Sequence, residues 1–172
     1  MKRLHLVFLI TIISSCTNKI QEQDIKSGSN ESSPFELIIT DSDYSMAYGL
    51  QYILTEKNLN VVFKGGLEGE KDSVVFTKDF RPDKKIQMLS SLNLDSLQEY
   101  YENPCILDGS QITVNFQKDH KTKTIHLSNY YQSDVGLAIE QINKLAPKKY
   151  EIWYDKESLL QDQNDCTEGM KN

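Results

Sequence analysis

The sequence predicts an α+β domain in which an antiparallel β-meander and a β-hairpin form a sheet, with two helical segments packed on one face. Three observations support this prediction. Several short segments near the start of the domain alternate apolar and polar residues with the period of a strand. The segment 112–127 repeats this alternation on both sides of a turn. Two further segments, beginning near Pro82 and Ser133, space their apolar residues as a helix does.

The meander begins after Pro34, where residues 35–40 read as a strand. The next segment is ambiguous, because Tyr44, Tyr48 and Tyr52 lie four residues apart, as on one face of a helix. Apolar residues nevertheless occupy every even position from 44 to 54, and this period of two favours a second strand. Strands at 61–63 and 74–76, joined by short connections, complete the meander.

The first helical segment starts at Pro82, a residue that suits a first helical turn. Helical spacing of apolar residues continues through 86–92 and, after a break, through 94–101. The pair at 103–104, Asn followed by Pro, ends the segment. We therefore expect one helical segment, broken near its middle, between the meander and the hairpin.

The hairpin and the second helix are the clearest elements. Apolar residues alternate over 112–116 and return at 125–127, with a turn at 119–121. Ser133 or Asp134 can cap the following helix, which carries a one-sided apolar stripe from Val135 to Leu145 and ends before Pro147. Residues 150–153 are expected to add a short strand or to pack on this helix. We expect the domain to end at residue 160 and residues 161–172 to form a polar tail.

The first 16 residues have the pattern of an export signal. Lys2 and Arg3 precede an apolar run about ten residues long, which is too short to span a bilayer as a helix. Small residues Ser14 and Ser15 then precede Cys16. The alternative is an ordinary signal peptide that happens to contain a cysteine. We expect residues 1–15 to be a signal peptide and residues 17–33, which are polar and lack apolar periodicity, to be a flexible tether.

The residues Ile13-Ser14-Ser15-Cys16 resemble the lipobox of bacterial lipoproteins. This resemblance implies that Cys16 carries a diacylglyceryl group and palmitate-type acyl chains that hold the protein on a membrane. Thr17 is not the aspartate that retains lipoproteins in the inner membrane, so the outer membrane is expected, on its periplasmic side or at the cell surface. The layout of lipobox, tether and one acidic domain is similar to that of small lipoproteins of Bacteroidota.

Composition narrows the range of partners. Without residues 1–15 the chain keeps 17 basic against 25 acidic residues, a net charge of about −8. Nucleic acid is therefore a poor partner, because its phosphates are bound by Lys and Arg. In an oxidising compartment, Cys105 and Cys166 remain as an even pair, and we expect a disulfide between them.

Residue patterns that carry catalysis or bind cofactors are weak in this chain. A metal site would need His120 and His126 to converge with Asp108 or Asp119, and their spacing does not bring them together. Cys105 has no local signature of a nucleophile activated by a histidine, and the Gly-x-Ser-x-Gly elbow is missing from the sequence. The sequence therefore predicts no catalytic residue, no metal ligand and no cofactor.

The aromatic residues offer the strongest sign of binding. Nine tyrosines exceed what the expected core requires, so some can form an aromatic surface for a protein or a sugar, although packing along the sheet is the alternative. The residues proposed for this surface are Tyr48, Tyr52, Tyr130, Tyr131, Tyr150 and Tyr154. We expect a non-enzymatic lipoprotein that binds a protein or another envelope component. The alternatives are an inhibitor or immunity protein against an envelope-acting toxin or enzyme, and a hydrolase with an unfamiliar site.

Overall fold

The computed structural model describes residues 34–42 and 48–171, apart from the side chains of Ser42 and Tyr48, and these residues belong to one compact unit. The predicted signal peptide, Cys16, the predicted tether and the first part of the predicted second strand lie outside the described residues. The predicted α+β class is confirmed. Seven strands form one open sheet in the order β4-β3-β2-β1-β6-β7-β5. The strands are β1 (Phe35–Ser42), β2 (Tyr48–Thr55), β3 (Asn58–Gly65), β4 (Ser73–Asp79), β5 (Tyr100–Glu102), β6 (Gln111–Lys118) and β7 (Lys121–Ser128).

The sheet is mixed because β5 runs parallel to β7, whereas every other neighbouring pair is antiparallel. One face is apolar, since successive side chains of a strand point to opposite sides. In β1, Leu37 and Ile39 are buried, and the residues paired with Leu37 are Leu54 on β2 and Phe116 on β6. This alternation continues in β2, β3, β6 and β7, whereas the edge strand β4 is largely exposed. The buried residues of the strands and helices form one core.

Three α-helices accompany the sheet: α1 (Lys84–Ser90), α2 (Ser133–Leu145) and α3 (Lys156–Gly169). The α1 and α2 helices contribute buried residues to the same core as the strands, as predicted for helices that cover one face. Asp83 caps α1 by accepting hydrogen bonds from the backbone N–H groups of Lys85 and Ile86, each at 3.0 Å. Within the described residues, no helix is long and apolar enough to cross a membrane.

The structure corrects three details of the predicted helices. The segment 94–101 contains a 3₁₀ turn at Leu94–Ser96 followed by the strand β5, because its two tyrosines favour a strand and the edge of β7 is free to pair with them. The cap of α2 is Gln132 rather than Ser133 or Asp134, and its side chain accepts from Val135 N–H at 2.7 Å. The predicted boundary at residue 160 falls inside α3, which extends through most of the expected tail.

The hairpin of β6 and β7 has the predicted position and register, with Lys118 paired with Lys121. The two residues between them, Asp119 and His120, have φ values of 50° and 63°. Two successive residues with positive φ are the mark of the type I′ turn, whose twist suits a hairpin. On β7, His126 points to the face opposite the buried Ile125 and Leu127, as the sequence predicted.

A loop that precedes β6 is held by one buried asparagine. The side chain of Asn129 accepts from Ser110 N–H at 2.9 Å and donates to the carbonyl oxygen of Asp108 at 3.1 Å. Gly109 lies between these partners with a φ of +131°, and a Cβ atom there would collide with the amide of Asn129. The loop geometry therefore requires glycine both for its backbone conformation and for the close approach.

We expect Gly109→Ala to lower the free energy of unfolding by at least about 1 kcal/mol more than Gly69→Ala does. Gly69 is a matched control, because it also has a positive φ (+88°) but faces open space. Urea denaturation of the two variants measures the difference. Equal losses would show that the contact with Asn129 does not constrain position 109.

Candidate functional site

The six tyrosines proposed for an aromatic surface separate into three groups. Tyr52 is completely buried, so the prediction that it belongs to that surface was wrong. The reason is that the even positions of β2 point towards the core. The side chain of Tyr48 lies outside the described residues. The remaining four are half-buried: Tyr130, Tyr131, Tyr150 and Tyr154.

Burial has raised the pKa of Tyr52 above its ordinary value of 10.0, and the negative charge of Asp41 adds to this effect. The unfolded chain therefore ionises first, so the stabilisation is complete below about pH 10 and is lost as the pH rises towards the folded pKa. The Oη atom of Tyr52 has no hydrogen-bond partner among the described residues. Removing this oxygen therefore has little cost at neutral pH.

We expect Tyr52→Phe to keep its stability at pH 7 and to lose less of it than the wild type between about pH 10 and pH 11. Chemical denaturation at a series of pH values measures this slope. Tyr100→Phe is the control, since Tyr100 is exposed, and it should retain the wild-type dependence. If Tyr52→Phe left the pH dependence of stability unchanged, the attribution of this dependence to the ionisation of Tyr52 would be contradicted.

A concave surface lies between α2 and the segment that connects it to α3. Two adjoining hollows of about 430 Å³ and about 380 Å³ share Asn143, Glu151 and Tyr154 in their walls. We call this surface the Trp153 groove. Its lining consists of residues from Tyr131 to Lys156, namely Tyr131, Gly136, Ile139, Glu140, Asn143, Lys148, Glu151, Ile152, Trp153, Tyr154, Asp155 and Lys156.

The segment 151–155 alternates between exposed side chains and more deeply buried ones. Ile152 is buried and Tyr154 is half-buried, whereas Glu151, Trp153 and Asp155 are exposed. The backbone at both ends of the segment is extended, which gives the alternation of a strand without a paired neighbour. Trp153 thus projects outwards between two carboxylates, with 62% of its surface exposed.

Asn143 fixes this segment to α2. Its side-chain amide donates to the carbonyl oxygen of Ile152 at 2.9 Å and accepts from the N–H of the same residue, also at 2.9 Å. One asparagine therefore satisfies both backbone groups of a buried residue, as a neighbouring strand would. The wall of the groove is held directly beside Trp153.

Tyr154 fixes the other side of the segment. Its hydroxyl accepts from Gln132 N–H at 2.8 Å and donates to the carbonyl oxygen of Tyr130 at 2.9 Å. Burial raises the pKa of Tyr154 above its ordinary value, although the hydrogen bond from Gln132 acts in the opposite direction. The neutral hydroxyl is the form that can both donate and accept, so the raised pKa preserves this link.

An aromatic pair forms the second hollow. The rings of Tyr131 and Tyr154 stack with centroids 5.5 Å apart, and Tyr131 lies against Gly136, where a Cβ atom would enter its ring. The ammonium of Lys156 lies 5.5 Å above the ring of Tyr131. The groove therefore brings together two of the predicted tyrosines, while Tyr130 packs against Tyr101 and Tyr150 against Phe76.

The sequence did not single out Trp153 as the centre of a site. The signal was present in the order Glu151-Ile152-Trp153-Tyr154-Asp155, in which charged residues lie two positions before and after the tryptophan. In an extended segment, Trp153 points to the same side as Glu151 and Asp155 and to the side opposite Ile152. A tryptophan in this position is expected to face solvent. The contribution of Asn143 had no such signal, because it depends on a contact with a backbone nine residues away.

The candidates for catalysis and metal binding lie elsewhere in the fold. Cys105 and Cys166 form a disulfide with their Cα atoms 5.6 Å apart, so neither has a free thiol to act as a nucleophile. On the uncovered face of the sheet, His126 stacks on Tyr100 and its Nδ1 lies 3.3 Å from the hydroxyl of Thr113. His120 is in the hairpin turn. In the described part of the chain, no group of three or more His, Cys, Asp or Glu side chains is arranged to hold a metal.

The chain was compared with protein-family models, with curated proteins and with solved structures, and none of them matches.

Proposed function

We propose that this protein is a lipoprotein anchored in the outer membrane through Cys16, and that its domain binds a protein of the cell envelope through the Trp153 groove. The proposal assigns the domain a binding role with no catalytic step. The anchor rests on the sequence from Lys2 to Cys16, and the binding surface rests on the geometry around Trp153.

The observation that carries the binding role is the exposure of Trp153 on a segment that is held on both sides. Exposed tryptophan is uncommon on a protein surface, and tryptophan dominates the energy of many interfaces because it buries a large area when a partner covers it. The hydrogen bonds of Asn143 and Tyr154 order the neighbouring residues before any partner arrives. A preordered site loses less conformational entropy on binding, so more of the contact energy remains as affinity.

The anchor is tested by changing the cysteine that would carry the lipid. We expect Cys16→Ser to release the protein from the membrane fraction and to remove the mass of the acyl chains, as measured by fractionation and intact-mass spectrometry. Globomycin, which blocks lipoprotein signal cleavage, should leave the signal peptide attached. Unchanged mass and membrane attachment in both experiments would refute the anchor.

The binding surface is tested with the full lipidated protein in its own membranes. We expect chemical crosslinking followed by affinity capture to recover a specific protein with the wild type and to lose it with Trp153→Ala. Met88→Ala is the matched control, because Met88 is an exposed apolar residue on α1, outside the groove. Identical recovery with all three proteins, or no specific protein with any, would refute binding through this groove.

A further inference from the structure

We infer that the Trp153 groove recognises a cationic side chain, arginine or lysine, of its protein partner. The inference rests on the proposed function and names the chemistry of the contact. It places the cation over the indole ring of Trp153, between the carboxylates of Glu151 and Asp155.

The first argument comes from the aromatic rings beside Trp153. The ammonium of Lys156 lies over the ring of Tyr131, and that of Lys149 lies 4.7 Å from the centroid of Tyr150. Both tyrosines therefore already have a cation from their own chain. Among the described residues, no lysine and no arginine lies over the ring of Trp153. Tryptophan is the aromatic residue that attracts cations most strongly, so the strongest site of this kind in the segment is open to a partner.

The second argument is the charge around the ring. Glu151 and Asp155 share the exposed side of the extended segment with Trp153, and both line the first hollow. Lys148 is the single basic residue in the lining of that hollow. The Oδ1 atom of Asp155 accepts from Ser158 N–H at 2.7 Å, and this bond uses only one of the two oxygens with which the side chain can accept from a cationic partner.

The third argument is the net charge of the chain, which is −6 for the full sequence. An acidic domain attracts a basic partner and repels an acidic one during encounter. An exposed tryptophan with nearby carboxylates is also suited to stack on a neutral sugar. The negative charge of the chain favours a cationic partner over a neutral sugar, because a neutral sugar gains no electrostatic attraction from that charge.

The experiment uses Trp153 as its own reporter, since it is the only tryptophan in the chain. The mature lipidated protein, held in micelles of a neutral detergent, is titrated with three probes while its tryptophan fluorescence is recorded. The probes are an amidated, acetylated Gly-Arg-Gly-Arg-Gly peptide, the same peptide with Glu in place of Arg, and a trisaccharide of N-acetylglucosamine. We expect a saturable change with the arginine peptide alone, weakened by added salt.

The double variant Glu151→Gln with Asp155→Asn removes both carboxylates, and asparagine preserves the helix cap at position 155. We expect it to bind the arginine peptide at least about fivefold more weakly. The matched control is Glu157→Gln with Asp165→Asn, which removes two exposed acids of α3 outside the groove and should leave the affinity unchanged within twofold.

Equal affinities for the two double variants, no saturable change with the arginine peptide, or a response to the trisaccharide alone would overturn the inference. None of these results bears on the proposed function, which is tested separately by crosslinking and capture with Trp153→Ala. Capture that is lost with Trp153→Ala but kept with Glu151→Gln and Asp155→Asn would show a partner that binds the groove without a cation. Capture that is insensitive to Trp153→Ala would refute the proposed function itself.

Discussion

Replacing Cys105 and Cys166 together by serine is expected to lower the free energy of unfolding by about 4 kcal/mol. The disulfide joins residues 61 positions apart, and breaking it allows the unfolded chain many more conformations. A loss of this size is a large part of the total stability of one domain. It is the largest effect that we expect from a change outside the apolar core.

The loss should be concentrated at the C-terminal end of the chain. Leu159 and Cys166 are the buried residues of α3, seven positions apart on one helical face, and the remainder of this helix is polar apart from the exposed Leu160 and the terminal glycine. A helix with so little apolar contact is marginal by itself. We therefore expect the double variant to lose helical circular dichroism before the sheet unfolds.

Guanidinium denaturation of the wild type and of the double variant, with Cys16 unchanged in both, measures the effect. Reducing agent should destabilise the wild type by a similar amount and leave the variant unaffected, which separates the bond from the serine side chains. A difference below about 1 kcal/mol would mean that the disulfide contributes little to this fold.

The sequence predicted best those elements in which one side packs against the core and the other side faces solvent. In the β6–β7 hairpin and in α2, a single periodic pattern distinguishes buried from exposed positions. Turn residues also mark the centre of the hairpin, whereas the cap of α2 is Gln132 and was not predicted. The period of two in β2 was also read correctly from residue 48 onwards, although four-residue spacing of tyrosines competed with it.

The elements that the sequence did not predict depend on partners distant in the chain. The strand β5 has three residues and exists because the edge of β7 is available to it. The polar segment after residue 160 belongs to α3, and its Cys166 is bonded to a loop residue 61 positions earlier, Cys105. The disulfide itself was predicted from the pair of cysteines. The short strand and the helical conformation after residue 160 were not predicted, because neither shows a periodic apolar pattern in the local sequence.

The candidate site, too, was predictable from local sequence only in part. Alternation around Trp153 was readable from the sequence, and it would have placed the indole in solvent beside two acids. The concavity that surrounds the indole was not readable. It depends on the position of the connecting segment, which is hydrogen-bonded to Asn143 nine residues away and, through the hydroxyl of Tyr154, to the backbone of Tyr130, which is 24 residues away.

Asn143→Ala is expected to lower the free energy of unfolding by about 2 kcal/mol, because the N–H and the carbonyl group of Ile152 both lose their partner. The groove is open beside Asn143, so water can replace part of the lost bonding and limit the loss. Asn164→Ala, at an exposed position of α3, is the control and should change stability by less than about 0.5 kcal/mol. Urea denaturation compares the two variants.

The same substitution connects the fold to the proposed binding site. Without the bonds of Asn143, the segment around Trp153 gains mobility, so a partner must order it on binding and affinity falls. We expect the fluorescence anisotropy of Trp153 to decrease in Asn143→Ala and the crosslinked partner to be captured less efficiently, while Trp153 itself remains in place. Wild-type anisotropy and capture combined with lower stability would show that Asn143 supports the fold but does not order the groove, and the argument from preorganisation would then fail.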